Sequence, residues 1–235
     1  VYVEKPMAID YAGAKQMAEA SEKHQIPVFV AYYRRSLSGF LKVKDLIEKG
    51  EIGEVIEINL KLYLPARAED YQSDNLPWRV IPEISGGGYF FDLAAHQLDY
   101  LDFVFGPAKF ISSIVETRGG LYKAEDYVEA ELLYRNKIKF KGSWDFNALA
   151  ENEVDFIEIR GSKGKIRFST FAFEPILLEN KKERRFFPFE KPDHVQKQLI
   201  QQVVNQLQGN GNCSSTAQTA LSASHLMEEI IYGIK

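Results

Sequence analysis

Asp92, His96 and Asp99 are the residues of this chain best placed to do chemistry. They lie in the run Gly86-Gly87-Gly88-Tyr89-Phe90-Phe91-Asp92-Leu93-Ala94-Ala95-His96-Gln97-Leu98-Asp99. Four residues advance an α-helix by about 400° and seven by about 700°, so the three side chains share a wedge roughly 60° wide. Around them Phe90, Phe91, Leu93, Ala94, Ala95, Leu98, Leu101, Val104 and Phe105 make the helix apolar nearly all round, the pattern of a buried helix. Burying charge without partners is costly, so an acid–base stripe on such a helix points to a cleft. A histidine near its ordinary pKa of about 6.5 is the natural proton carrier at neutral pH. A carboxylate one turn away can fix its tautomer and stabilise the imidazolium.

Two other readings of the stripe stay open. In one, Asp92 only caps backbone donors and His96 is a satisfied core residue. In the other, Asp, His and Asp ligate a divalent ion. Side chains along one helix diverge and the sequence offers no obvious fourth ligand, so no metal is expected. The glycine run admits either a close approach of ligand to backbone N–H groups or a tight turn into the helix. It is not a dinucleotide fingerprint, because no G-x-G-x-x-G follows a strand anywhere in the chain.

A second signal is Glu4-Lys5-Pro6. Pro6 keeps Lys5 out of the helical region, so Lys5 sits extended at the end of a Val1–Val3 strand. That is the carboxyl edge of a parallel strand, where open α/β sheets bind ligands.

The elements that must carry these residues follow from periodicity. Asp10 caps a helix running to about Lys23, and Val28 to Ala31 reads as a buried strand. Leu37 to Lys49 is a second helix with Gly50 past its end. This rhythm is part of a parallel α/β sheet, ending near Tyr33. After it, Glu57 to Leu64 alternates apolar and polar as a strand with one wet face. A Pro-, Asp- and Ser-rich loop carrying Trp78 and Arg79 runs to about Ile84, and the stripe helix spans about Tyr89 to Phe105. Up to about residue 190 the signal is mostly β with short hairpin loops. Two amphipathic helices, His194–Leu207 and Thr216–Ile231, close the chain. The expected fold class is therefore α+β, a large open and mainly antiparallel sheet with helices on one face, preceded by a remnant of a parallel α/β domain. The expected boundary divides residues 1–33 from 34–235.

The 235 residues are 45% hydrophobic with a net charge of -4, which suits a globular chain and argues against nucleic acid as a partner. No apolar run approaches the roughly 18 residues of a membrane span. One cysteine, Cys213, rules out an intrachain disulfide, and the expected compartment is the cytoplasm. Val1-Tyr2-Val3 reads as the end of a buried strand rather than a chain start, so an upstream region is expected.

Taken in order, Glu4-Lys5-Pro6, a helix, a strand ending in Tyr32-Tyr33-Arg34-Arg35, and then Gly-Gly-Gly-x3-Asp-x3-His-x2-Asp resemble the Gfo/Idh/MocA family of NAD(P)-dependent oxidoreductases. The resemblance covers the whole chain, from the middle of the family fold onward. It implies that residues 1–33 are the last part of a Rossmann domain, and that the rest is a substrate-binding and oligomerisation domain. It also implies a nicotinamide cofactor, NAD or NADP, whose phosphate-binding loop is absent from these residues, so weak cofactor binding by this chain alone is expected. Lys5, Asp92 and His96 match the catalytic residues, and Glu4, Lys5 and Pro6 match the cofactor-side motif. Asp99 matches a carboxylate often found one turn further on. Arg35 is expected near the substrate, with Trp78 and Arg79, and Tyr63 and Tyr122 as further candidate lining residues. The match departs at Ala94, where many members have glycine. The implied reaction is hydride transfer between the cofactor and a hydroxyl of a sugar, cyclitol or polyol. The implied assembly is a homo-oligomer through the open sheet face. Two rival readings remain: a non-catalytic dimerisation or ligand-binding module of the same fold, and a metal-dependent hydrolase.

Overall fold

The computed structural model describes residues 1–233. Strands β1 (Tyr2–Val3) and β2 (Phe29–Val30) pair in parallel, and helix α1 (Tyr11–His24) makes the crossover between them. The Asp10 carboxylate caps α1 by accepting the Gly13 amide at 2.7 Å, and the helix ends at Gln25 in the left-handed region. The far side of β2 is held by chain returning from the other end. Thr216 bridges Phe29, and the Ala217 amide donates to the Val28 carbonyl at 2.8 Å. The helix Lys197–Leu207 packs Leu199 and Val203 against Phe29 and Cys213. The small parallel unit thus draws residues from both ends of the chain, and this helix, which the sequence boundary groups with 34–235, rests on it.

Helix α2 (Ser38–Glu48) leads into β3 (Val55–Tyr63), the first strand of a second sheet. The others are β4 (Lys109–Glu116), β5 (Tyr127–Leu133), β6 (Lys139–Asp145), β7 (Val154–Gly161), β8 (Gly164–Phe168), β9 (Ile176–Asn180) and β10 (Arg184–Phe187). Their order is β10-β9-β8-β7-β3-β6-β5-β4, with β3 and β6 parallel and the remaining neighbours antiparallel. The period-2 pattern sets the faces. Ile58, Leu60 and Leu62 of β3 are buried beside Phe140, Gly142 and Trp144 of β6. A Cβ on Gly142 would lie 2.4 Å from the Trp144 ring, so the missing side chain is what admits the indole. Helices α4 (Ala95–Phe105) and α6 (Ala217–Tyr232) pack on each other, and α6 also packs on β4. The opposite face is open and carries ion pairs such as Lys141–Glu131 at 3.0 Å and Arg160–Glu158 at 2.6 Å.

The long loop after β3 is broken into short helical turns, Ala68–Tyr71, Trp78–Val80 and Pro82–Ser85. Buried Asp70 fastens it by accepting the Tyr89 hydroxyl at 2.7 Å and the Arg67 amide at 2.8 Å. Among the described residues no helix is long and apolar enough to cross a membrane.

Candidate functional site

The stripe helix is not uniform. Residues Phe90–Ala94 form a π turn that runs into α4. Bonding from i to i+5 takes up one residue more per turn than an α-helix. The uniform 100° step that aligns Asp92 with His96 therefore does not hold across this stretch. The turn also turns Asp92 towards β1. Its carbonyl oxygen accepts from Lys5 Nζ at 2.5 Å, and its carboxylate Oδ1 accepts from the same ammonium. Asp92 Oδ2 accepts from Arg79 Nε at 3.1 Å. The Arg79 guanidinium lies 4.6 Å from the Trp78 ring, and Trp78 stands half-exposed at the rim. Glu4, Lys5 and Pro6 thus lie at the carboxyl end of β1, with Lys5 reaching across to Asp92.

The glycine run is a close-packed turn. Gly86 has φ +84°, and a Cβ there would meet the Ile9 carbonyl oxygen at 2.1 Å. The Gly88 amide donates to Glu125 Oε1 at 3.0 Å, so a protein carboxylate already occupies this helix start. Glu125 lies far along the sequence, which gave no sign of it.

His96 is 4% exposed and boxed by aromatic rings, with centroids 6.0 Å away for Tyr32, 5.0 Å for Tyr33 and 6.4 Å for Phe171. Its Nδ1 is buried without a hydrogen-bond partner among the described residues. Burial, helped by the charges of Arg34 and Lys5, holds its pKa well below that of an ordinary histidine, so the imidazole is neutral at pH 7. Burial also lowers the Lys5 pKa, with Asp92 opposing the shift.

Asp99 and Arg35, expected at the substrate, are instead enclosed. Arg35 Nε and Nη2 donate to the two Asp99 oxygens at 2.8 and 2.5 Å, and further donors reach the Ser214 and Thr219 carbonyls at 2.6 and 3.1 Å. Their side chains are 3% and 1% exposed, so they brace α4 behind His96 rather than face a ligand. Removing one partner of such a pair leaves an uncompensated buried charge, at a cost of about 3–5 kcal/mol. Asp99→Asn should therefore melt roughly 10 °C below wild type, since each kcal/mol shifts a chain of this size by about 2–4 °C. Differential scanning calorimetry at fixed pH would show it, and an unchanged midpoint would remove the bracing role. Asp92, His96 and Asp99 do not converge as ligands. Among the described residues no three His, Cys, Asp or Glu side chains are placed to share an ion.

Tyr63 lies on the open sheet face, 2.9 Å from Ser143 Oγ, because the strand alternation that buries Leu62 turns it outward. Tyr122 is buried edge-on to Tyr89. Neither joins Lys5, Asp92 and His96.

Behind the site, buried Asp102 accepts from Ser222 Oγ at 2.5 Å while its other oxygen has no partner. Burial, with Asp99 adding repulsion, pushes its pKa up from 3.8 to about 7. A folded-state pKa raised this way gives stability that is complete below about pH 3.8 and lost as pH rises through 7. Asp102→Asn does not titrate and still accepts from Ser222. Its melting temperature relative to wild type should rise by about 5 °C or more between pH 5 and pH 8. A difference that is flat with pH would contradict this.

A model of the GFO/IDH/MocA C-terminal domain matches residues 40–167. An oxidoreductase of Formosa agariphila is 33% identical over 228 residues, covering 97% of this chain and 70% of that protein. The myo-inositol 2-dehydrogenase of Thermotoga maritima is 29% identical over 171 residues, covering 71% of this chain and 48% of that protein. A solved structure of the WlbA dehydrogenase from Bordetella pertussis, in complex with NADH and UDP-GlcNAcA, superposes with a TM-score of 0.79 at 26% identity. That match covers 98% of this chain and 67% of the dehydrogenase.

Proposed function

The chain belongs to the GFO/IDH/MocA family, and from that premise we propose that it carries the substrate side of an NAD(P)-dependent dehydrogenase acting on a sugar, cyclitol or polyol hydroxyl. Relatives named for NADH and for myo-inositol support the reading. The observation that carries it is the ion pair between Lys5 and Asp92, which ties the end of β1 to the helix whose next turn carries the buried, neutral His96, a side chain that feels the Lys5 charge.

The residues present suit the nicotinamide end of a cofactor. Lys5 follows the carboxyl end of β1, which pairs in parallel with β2, the edge at which such sheets bind ligands. Glu4, Lys5 and Pro6 would border it there. When bound, the nicotinamide supplies hydride chemistry.

The chain's own part is proton handling and orientation. An ammonium has three donors, and Lys5 spends two on the carbonyl and carboxylate of Asp92. The third is free to hold the substrate hydroxyl oxygen and to stabilise negative charge that develops on it. Asp92 fixes the direction of that donor, and Arg79 fixes Asp92. The neutral His96 imidazole accepts the proton from the substrate hydroxyl oxygen. The rings of Tyr32, Tyr33 and Phe171 keep water from that imidazole. We further assign the open sheet face to a second copy of the chain. Its half-exposed Ile114 among paired charges supports this, and light scattering of the purified protein tests it. The single buried Cys213 fits a reducing cytoplasm.

The test is a screen of the full-length protein against sugars and cyclitols with NAD and NADP, following the cofactor's absorbance. Cofactor-dependent turnover of a polyol hydroxyl is the expected result. A complete lack of turnover together with a lack of cofactor binding would overturn the reading.

A further inference from the structure

Arg34 and Arg35 are neighbours in sequence with opposite surroundings. Every polar atom of the Arg35 guanidinium has a partner, and its charge is cancelled by Asp99. Arg34 is as buried, at 2% exposed, yet makes one hydrogen bond, from Nε to the Thr170 carbonyl at 3.2 Å. Its Nη1 is buried with no partner among the described residues, and no carboxylate there lies within ion-pair distance of it. Burying a cation without a counterion costs several kcal/mol.

The chain holds this guanidinium in place without neutralising it. The ring of Phe171 is 4.5 Å away and that of Tyr33 is 5.0 Å away. The Asp155 and Asp92 carboxylates act on it from beyond ion-pair distance, and the Asp155 oxygens accept the amides of Thr170, Phe171 and Ala172 at 2.6–3.0 Å. Asp155 pins the loop that carries Phe171. The rings that flank Arg34 also flank His96. Tyr32, also packed on His96, has a buried hydroxyl without a partner. Arg34 Nη1 and His96 Nδ1 are thus two unsatisfied buried polar atoms in one aromatic box, while the Tyr32 hydroxyl lies on the side of Asp99 and Asp102. Close by, Lys5 and Arg79 face the single carboxylate of Asp92. With Arg34 the cleft is left with an excess of positive charge.

We propose that Arg34 is a specificity-determining residue that receives a carboxylate of the substrate, so that the preferred substrates of this site are acidic sugars. This rests on the dehydrogenase reading above and narrows it. A planar carboxylate matches the fork of a guanidinium, and such pairs are geometrically selective. It would satisfy the orphaned donor and place the sugar's hydroxyls towards Lys5 and His96.

The experiment compares kcat/KM of the full-length protein on matched pairs, D-glucuronate against D-glucose and D-galacturonate against D-galactose. D-Glucose 6-phosphate is included to separate carboxylate from phosphate. Wild type should favour the uronate of at least one pair by about 10-fold or more. Arg34→Met should lower that ratio by about 30-fold or more, and Arg34→Lys, which keeps charge but loses the fork, should restore only part of it. The cofactor Kd should be unchanged in both variants. Equal turnover of each pair by wild type would overturn the proposal. So would a parallel loss on acid and neutral sugar in Arg34→Met, a shift in cofactor Kd instead, or a preference for the sugar phosphate. If Arg34→Met does not fold, the wild-type ratios and Arg34→Lys still decide. Calorimetric binding of uronate over aldose without any turnover would support the Arg34 subsite while sinking the dehydrogenase reading. Turnover without acid preference would do the reverse.

Discussion

His96→Ala in the full-length protein is expected to lower kcat by about 100- to 10,000-fold, the range that a positioned general base supplies. The melting temperature and the cofactor Kd serve as controls, and His96→Gln provides a larger replacement should the alanine variant leave a damaging cavity. The pH profile makes the test sharper. The imidazole is held neutral by burial and by Arg34 and Lys5. Activity in the oxidative direction should therefore stay level as pH falls through 6.5, and decline only well below it, where His96 finally takes a proton. An ordinary exposed histidine would give a decline centred near pH 6.5. Unchanged turnover in both variants would favour the non-catalytic module of the same fold.

Lys5→Met is expected to lower kcat by about 100- to 1,000-fold, the usual effect of removing one donor aimed at developing oxyanion charge. KM should change less, because the donor matters most as the hydroxyl proton leaves. Burial lowers the Lys5 pKa, so the wild-type profile should show an alkaline decline that begins below 10.5 and is missing from the variant. A variant with wild-type kcat would take Lys5 out of the chemistry and leave it as a strut for Asp92.

Where the sequence spoke through local physics, its reading and the structure agree closely. The Asp10 cap, the alternation of Glu57 to Leu64 and the end of the stripe helix at Phe105 each depend on neighbours a few residues away. The link from Lys5 to Asp92 was legible only as an order of motifs, since nothing local joins residues 87 positions apart. Arg35 and Asp99 show where such reading stops. Their types suit a ligand site, and only the seating of Arg35 between Asp99 of α4 and the carbonyls of Ser214 and Thr219 reveals that they satisfy each other. Arg34, one position earlier, has the same type and the opposite fate. The π turn was invisible because Phe90-Phe91-Asp92-Leu93-Ala94 has the composition of an ordinary α-helix. Its contacts with Lys5 at the β1 end and, just before it, of Gly88 with Glu125 come from residues distant in sequence.

That wide turn sets stability and function in competition at one place in the chain. Relative to a regular helix it is a one-residue insertion, and regularising it would recover well-formed backbone bonds in the most buried helix of the fold. The same change would move the Asp92 carbonyl, one of the two oxygens that hold the Lys5 ammonium. A lineage selected only for heat resistance would be drawn towards deleting a residue from Phe90–Ala94, and turnover is what would hold the extra residue in place.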